Sequence, residues 1–152
     1  MNPETQITNL LYRYAECIDS GDFAAAAALF EHARLRVGSG AGWIAASGDD
    51  TVDAAAMLRL WRILIIRYPD GTPRTKHIVT NPIIDIDADL ATCRSYYTVL
   101  QQADDLPLQV VVSGRYHDRF ERVDGIWRFR YRDYTLIDFV GDTSHHLTQR
   151  VV

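Results

Sequence analysis

Apolar positions near the start of the chain recur at helical spacing. Ile7, Leu10, Leu11, Tyr14, Ala15 and Ile18 fall on one face, with polar residues between them. Asn2 can cap this helix, Pro3 suits its first position and Gly21 supplies a stop, so the pattern predicts a helix from about Pro3 to Asp19. Asp22 then caps a second, short helix over Phe23 to Phe30, whose alanine run suits close packing. Arg34 to Val37 reads as a short strand. A third helix, capped by Asp50 or Thr51, carries Leu58, Trp61 and Ile65 on a broad apolar face and runs to Tyr68, where Pro69-Asp70-Gly71 ends it.

Past that turn the period changes to two. Arg74 to Ile86, Ala91 to Gln102, Leu108 to Arg122 and Ile126 to Phe139 read as long strands, rich in β-branched and aromatic residues. The polar segments between them are short enough for antiparallel hairpins, and Asp124-Gly125 is a strong hairpin signal. Helices grouped ahead of a continuous meander imply an α+β fold, with four long antiparallel strands plus a short one and three N-terminal helices. Twist should curl strands of this length into a cone whose mouth the helices close around a cavity.

Composition narrows the class without naming the chemistry. The 152 residues, 47% apolar and 24% charged, suit one domain over residues 1–152, with residues 140–152 as a C-terminal tail. A formal net charge of -4 offers no basic field for a phosphate backbone, so no nucleic acid is expected as partner. Cys17 and Cys93 lack metal or disulfide spacing. No signal-like order opens the sequence and no apolar run approaches the ~20 residues that span a bilayer, so no membrane association and a cytoplasmic protein are expected.

Several motifs are set aside. Gly38-Ser39-Gly40-Ala41-Gly42 is GxGxG without a following helix, so it reads as a loop and not as a dinucleotide cradle. His145 and His146 are adjacent, a poor metal pair, and read as a solvated tail; Asp85, Asp87 and Asp89 read as a polar turn before a calcium site. No metal and no cofactor are expected. Arg128, Arg130 and Arg132 form a period-two stripe that is either a solvated strand face or a partner for acidic groups of a neighbouring subunit.

Three stretches carry a resemblance: Tyr14-Ala15-Glu16-Cys17-Ile18-Asp19-Ser20-Gly21-Asp22-Phe23, Arg74-Thr75-Lys76-His77-Ile78-Val79, and Val123-Asp124-Gly125-Ile126-Trp127-Arg128-Phe129. From Ile7 to about Phe139 the chain resembles the SnoaL-like branch of the superfamily that includes nuclear transport factor two, ketosteroid isomerase and scytalone dehydratase. That likeness implies a cystatin-like α+β barrel, and it implies that Asp19 and His77 meet in the cavity as a general-base dyad. The chemistry is coherent: a neutral imidazole takes a proton near neutral pH, and a carboxylate on its other nitrogen fixes the tautomer and stabilises the imidazolium. Taken on their own, Asp19 reads first as a helix-end or turn residue bonding its own backbone and His77 as a strand histidine on a half-exposed face.

The sequence departs from scytalone dehydratase around that pair. The family's two water-holding tyrosines fall at Ile18 and near Gly38 or Ser39, its second cavity histidine near Gln101, and its substrate-binding serine and asparagine near Gly114 and Tyr116. Tyr14, Trp61, Gln101 and Tyr116 are the candidate substrate-binding residues. Strand alternation groups Val110, Val112, Gly114 and Tyr116 on one face, and with that face inward the Tyr116 hydroxyl can donate to a substrate oxygen.

A second apolar sheet face bearing Val111, Trp127, Phe129 and Tyr131 suggests a homo-oligomer, and the resemblance favours a trimer over a dimer. The function these features imply is a cofactor-independent, dehydratase-like lyase abstracting a proton from a small cyclic hydroxy-ketone, aromatic or polyketide-like substrate. Its alternatives are an isomerase or cyclase, a non-catalytic small-molecule-binding protein, and a structural subunit similar to the small subunit of ring-hydroxylating dioxygenases.

Overall fold

The computed structural model describes residues 1–38 and 50–149, so the glycine-rich stretch lies, beyond Gly38, outside the described residues. Helix α1, Pro3–Asp19, starts where Asn2 accepts the Thr5 N–H at 2.8 Å and buries Ile7, Leu10, Leu11, Tyr14, Ala15 and Ile18. It ends in a Schellman motif: Gly21 N–H donates to the Ile18 carbonyl and Asp22 N–H to the Cys17 carbonyl, with Gly21 at φ +80°. Asp22 at once caps helix α2, Phe23–Ala28, accepting the Ala25 N–H at 3.0 Å. This helix stops two residues short of the expected Phe30.

Strand β1, Arg34–Arg36, pairs antiparallel with a second short strand, β2, Thr51–Val52. Because Thr51 is in that strand, the cap of helix α3, Ala54–Leu64, passes to Asp53, which accepts the Ala56 N–H at 2.9 Å. The helix ends before Tyr68 because Ile65 is extended and pairs with Leu147. No helix among the described residues is long and apolar enough to cross a membrane.

The long strands follow as β3 (Thr75–Asp87), β4 (Leu90–Ala103), β5 (Leu106–Val123) and β6 (Ile126–Asp133). The segment expected to continue to Phe139 breaks after Asp133, whose carboxylate accepts both the N–H and the hydroxyl of Thr135 and turns the chain. It resumes as β7, Ile137–Val140, beside β5. The sheet runs β2-β1-β6-β5-β4-β3 and is mixed, since β1 lies parallel to β6. The fold class is as expected: a curved α+β sheet that stays unclosed, with helices against its inner face.

Bulges bend it. One extra residue sits on β3 between Thr80 and Ile83, Val111 is extra on β5 and Arg130 is extra on β6. Each reverses the side-chain alternation from there on. Val110 therefore faces out while Val111, Gly114 and Tyr116 face in, and Arg132 is buried instead of continuing a solvated stripe. Val111, Trp127 and Phe129, expected on an uncovered face, belong to the core under the helices. Arg128 pairs with Glu121 of its own chain at 3.1 Å.

The outer face holds rows that cross the strands, such as Phe139, Ser113, Thr98 and Ile78. A pocket of about 440 Å³ opens on it, lined by residues including Arg94, Tyr96, Arg115 and His117.

A side chain at Gly21 would run into the Gly71 carbonyl, and the left-handed backbone there already disfavours one. Gly21→Ala should lower stability by more than about 1 kcal/mol, read as a reduced urea midpoint at unchanged slope.

Candidate functional site

Close approach at Gly21 brings the end of α1 against the turn that leads into β3. That turn is tied by Asp70, which accepts the N–H and hydroxyl of Thr72, each at 2.9 Å. Asp19, the last residue of α1, is thereby set across the first turns of β3. One of its oxygens accepts the Thr75 hydroxyl at 2.9 Å and meets His77 Nδ1 at 2.6 Å; the other accepts the His77 backbone N–H at 2.8 Å. A carboxylate can only accept, so Nδ1 carries the proton and Nε2 presents its lone pair. Nε2 has no hydrogen-bond partner among the described residues. The two side chains are 8% and 17% exposed, sheltered without being sealed from solvent.

Tyr14 stands edge-on to His77, with ring centroids 6.2 Å apart, and is the hub of an aromatic cluster with Phe30, Trp61, Tyr116 and Tyr134. The guanidinium of Arg132 lies within this cluster, 3.8 Å from the centre of the Tyr116 ring and 4.5 Å from that of Tyr14. It binds Asp118 through two parallel contacts of 2.7 and 3.0 Å, both side chains being 0% exposed. Burial works against the arginine's charge, yet the guanidinium pKa stands above its ordinary value, with the Asp118 carboxylate the largest of the opposing influences. Burial raises the hydroxyl pKa of Tyr14, and those of Tyr116 and Tyr134 more strongly, so all three stay neutral donors at physiological pH.

The remaining candidates divide. Trp61 is a buried wall beside Tyr14, and Tyr116 is stacked on Tyr97 with centroids 4.4 Å apart. Gln101 is occupied elsewhere, because its amide nitrogen donates to the carbonyls of Pro73 and His145 at 3.0 and 2.9 Å. Both donors are engaged by main chain, leaving none for a substrate.

The His145 carbonyl is also where the sequence pattern and the structure part. It accepts the Tyr68 hydroxyl at 2.6 Å, the His146 carbonyl accepts the Ile66 N–H at 2.8 Å, and Thr148 N–H donates to the Leu64 carbonyl at 2.8 Å. The segment expected to be a solvated tail is a strap across the end of α3. It buries His146 to 6% exposure, with its ring 6.4 Å from that of His77. Two adjacent histidines gave no periodic signal of burial. Arg132 was hidden likewise, by the bulge at Arg130.

The SnoaL-like domain model matches residues 1–133. The chain belongs to the SnoaL-like domain family. No curated protein matches it in sequence. Among solved structures similar to this SnoaL-like chain is an Asp-to-Asn variant of a Mycobacterium tuberculosis protein of unknown function, with 25% identity and a TM-score of 0.66 over 90% of this chain and 72% of that one. A provisionally assigned scytalone dehydratase from Novosphingobium aromaticivorans is 20% identical, with a TM-score of 0.62 over 86% and 80% of the two chains. The beta subunit of a provisionally assigned aromatic-ring-hydroxylating dioxygenase from the same organism is 18% identical, at a TM-score of 0.66 over 90% of each. Structures this distant show a shared NTF2-like, cystatin-like fold. In this SnoaL-like domain the strap, and with it His146, lies beyond the matched residues.

Two outcomes follow from these buried charges. Arg132→Met strands the Asp118 carboxylate and should cost about 3–5 kcal/mol in urea unfolding, most of it recovered when Asp118→Leu is added. For His146, burial and then the neighbouring His77 depress the pKa from 6.5 to about 4, with Asp19 pulling the other way. The unfolded chain takes up this proton first as pH falls, so stability should decline from about pH 6.5 down to about pH 4, by up to about 3 kcal/mol. His146→Gln should flatten that part of the profile.

Proposed function

We propose that this SnoaL-like protein is a cofactor-independent lyase that removes a proton from the carbon beside the carbonyl of a small cyclic hydroxy-ketone, with His77 as base and Asp19 as its orienter. The observation that carries the reading is the Asp19 carboxylate. Of its three contacts one is to the imidazole itself, one to the backbone N–H of the same residue and one to the Thr75 hydroxyl two residues before it, and the ring nitrogen left over is the basic one. A subunit role of the kind its dioxygenase neighbour has gives no reason for so short and sheltered a pair.

In this reading His77 Nε2 accepts the proton as the C–H electron pair moves into the ring and the carbonyl oxygen becomes an enolate. When the β-hydroxyl departs, the imidazolium returns that proton to it, water leaves and the base is neutral again. Asp19 stays ionised and stabilises the imidazolium between the two steps. The neutral hydroxyl of Tyr14 and the buried rings of Trp61 and Tyr116 give the surroundings of the dyad an aromatic character, which suits a flat ring. The dehydratase assignment of the Novosphingobium neighbour is of the same reaction class.

Association belongs to the same reading. The apolar side chains that remain open on the outer sheet face, among them Ile78, Ile83, Tyr96 and Phe139, support a homo-oligomer in place of the buried set named from sequence. Sedimentation at micromolar concentration should then give a multiple of 17.3 kDa; a monomer would remove this part.

The chemical test uses 3-hydroxy-1-tetralone in heavy water. Wild type should wash deuterium into the position beside the carbonyl and release 1-naphthol, while His77→Ala and Asp19→Asn should each slow exchange by about 10²–10⁴-fold. Exchange indifferent to both substitutions would sink the dyad.

A further inference from the structure

His146 sits in the site without a structural role for its ring. The strap that carries it is held through main-chain atoms: the carbonyls of His145 and His146 and the N–H of Thr148 make the bonds described above, and Leu147 completes a bridge to Ile65. The imidazole takes no part in them. Its Nδ1 is buried with no hydrogen-bond partner among the described residues. Leaving a buried polar nitrogen unsatisfied costs about 1–3 kcal/mol, so such an atom in a sheltered site is better explained by a ligand than by packing.

We propose that His146 is a second catalytic imidazole, which hydrogen-bonds the substrate oxygen next to the carbon that His77 deprotonates. The inference rests on the lyase reading and adds a residue to it. The two rings meet edge to face at 6.4 Å, a spacing that a C–H group and its neighbouring carbonyl can bridge. As the proton passes to His77, charge develops on the oxygen, and an N–H of His146 already aimed at it needs no reorganisation. His146 keeps its own proton, so no second acid is required. Burial beside His77 keeps the ring from charging, which prevents two imidazoliums from facing each other during turnover. Gln101, where the family resemblance would place a second cavity histidine, instead tethers the strap that brings this one in from the far end of the chain.

The test pairs a binding readout with a kinetic one. Histidine-ring nitrogen resonances are followed while 1-naphthol is added to wild type, His146→Gln, His146→Phe and His77→Ala. Exchange from 3-hydroxy-1-tetralone is measured on the same samples, each checked for a native melt. The proposal expects the His146 ring signals to move with 1-naphthol in wild type and in His77→Ala, and 1-naphthol affinity to fall about tenfold in His146→Phe. It also expects kcat to drop about 10²-fold in His146→Phe and less in His146→Gln.

If the His146 signals stay put, the proposal is overturned whatever the kinetics show. If they move but His146→Phe exchanges at the wild-type rate, the catalytic role is overturned and the dyad reading stands. If wild type shows no exchange while the signals move and affinity falls in His146→Phe, the lyase reading fails and His146 survives as a ligand contact.

Discussion

One carboxylate joins the two halves of this molecule. Asp19 closes the first helix, and every hydrogen bond it accepts comes from the opening residues of β3. The same contacts dock helix on sheet and set the tautomer and angle of His77, so packing and chemistry share one constraint. The left-handed glycine two residues later makes the approach possible, because a larger residue would hold the corner away from the turn at Gly71. A buried or half-buried carboxylate needs donors wherever it sits. Here the donors are supplied by the strand that bears His77.

A second constraint sits deeper. The Arg132–Asp118 pair is removed from water, and pairs of this sort seldom add net stability compared with apolar side chains of like volume. What it supplies is a cation held rigidly beneath Tyr14, Tyr116 and Tyr134, in a region where field strength is not diluted by solvent. The cluster therefore presents neutral hydroxyls biased towards donation.

The helices and the meander of long strands were legible because each depended on a short-range pattern, a 3.6-residue period, capping residues or a turn signature, whereas the Asp19–His77 pair, 58 residues apart, was implied only by the family resemblance. What stayed hidden depended on parity or on distance along the chain. Alternation predicts which side chains face inward only while pairing stays in register, and extra residues at Val111 and Arg130 exchanged the faces of Val110 and Arg132. The burial of His146 arises from main-chain bonds to residues 64–66 and from Tyr68 and Gln101, partners that no local composition announces. Gln101 was noticed for its side chain, yet its part is to fasten another segment.

The strap has a consequence for the order in which the protein matures. A chain leaves the ribosome from its N-terminus, and folding proceeds as segments emerge. Tyr14 and Asp19 come out first, His77 and the curved sheet much later, and the strap after all of them. A nascent chain can thus bring its dyad together while the side of the site next to α3 is still uncovered. Closure of that side by His146 is a late event in biosynthesis, so a chain halted between β7 and the strap would display a nearly complete fold with His77 still uncovered on one side.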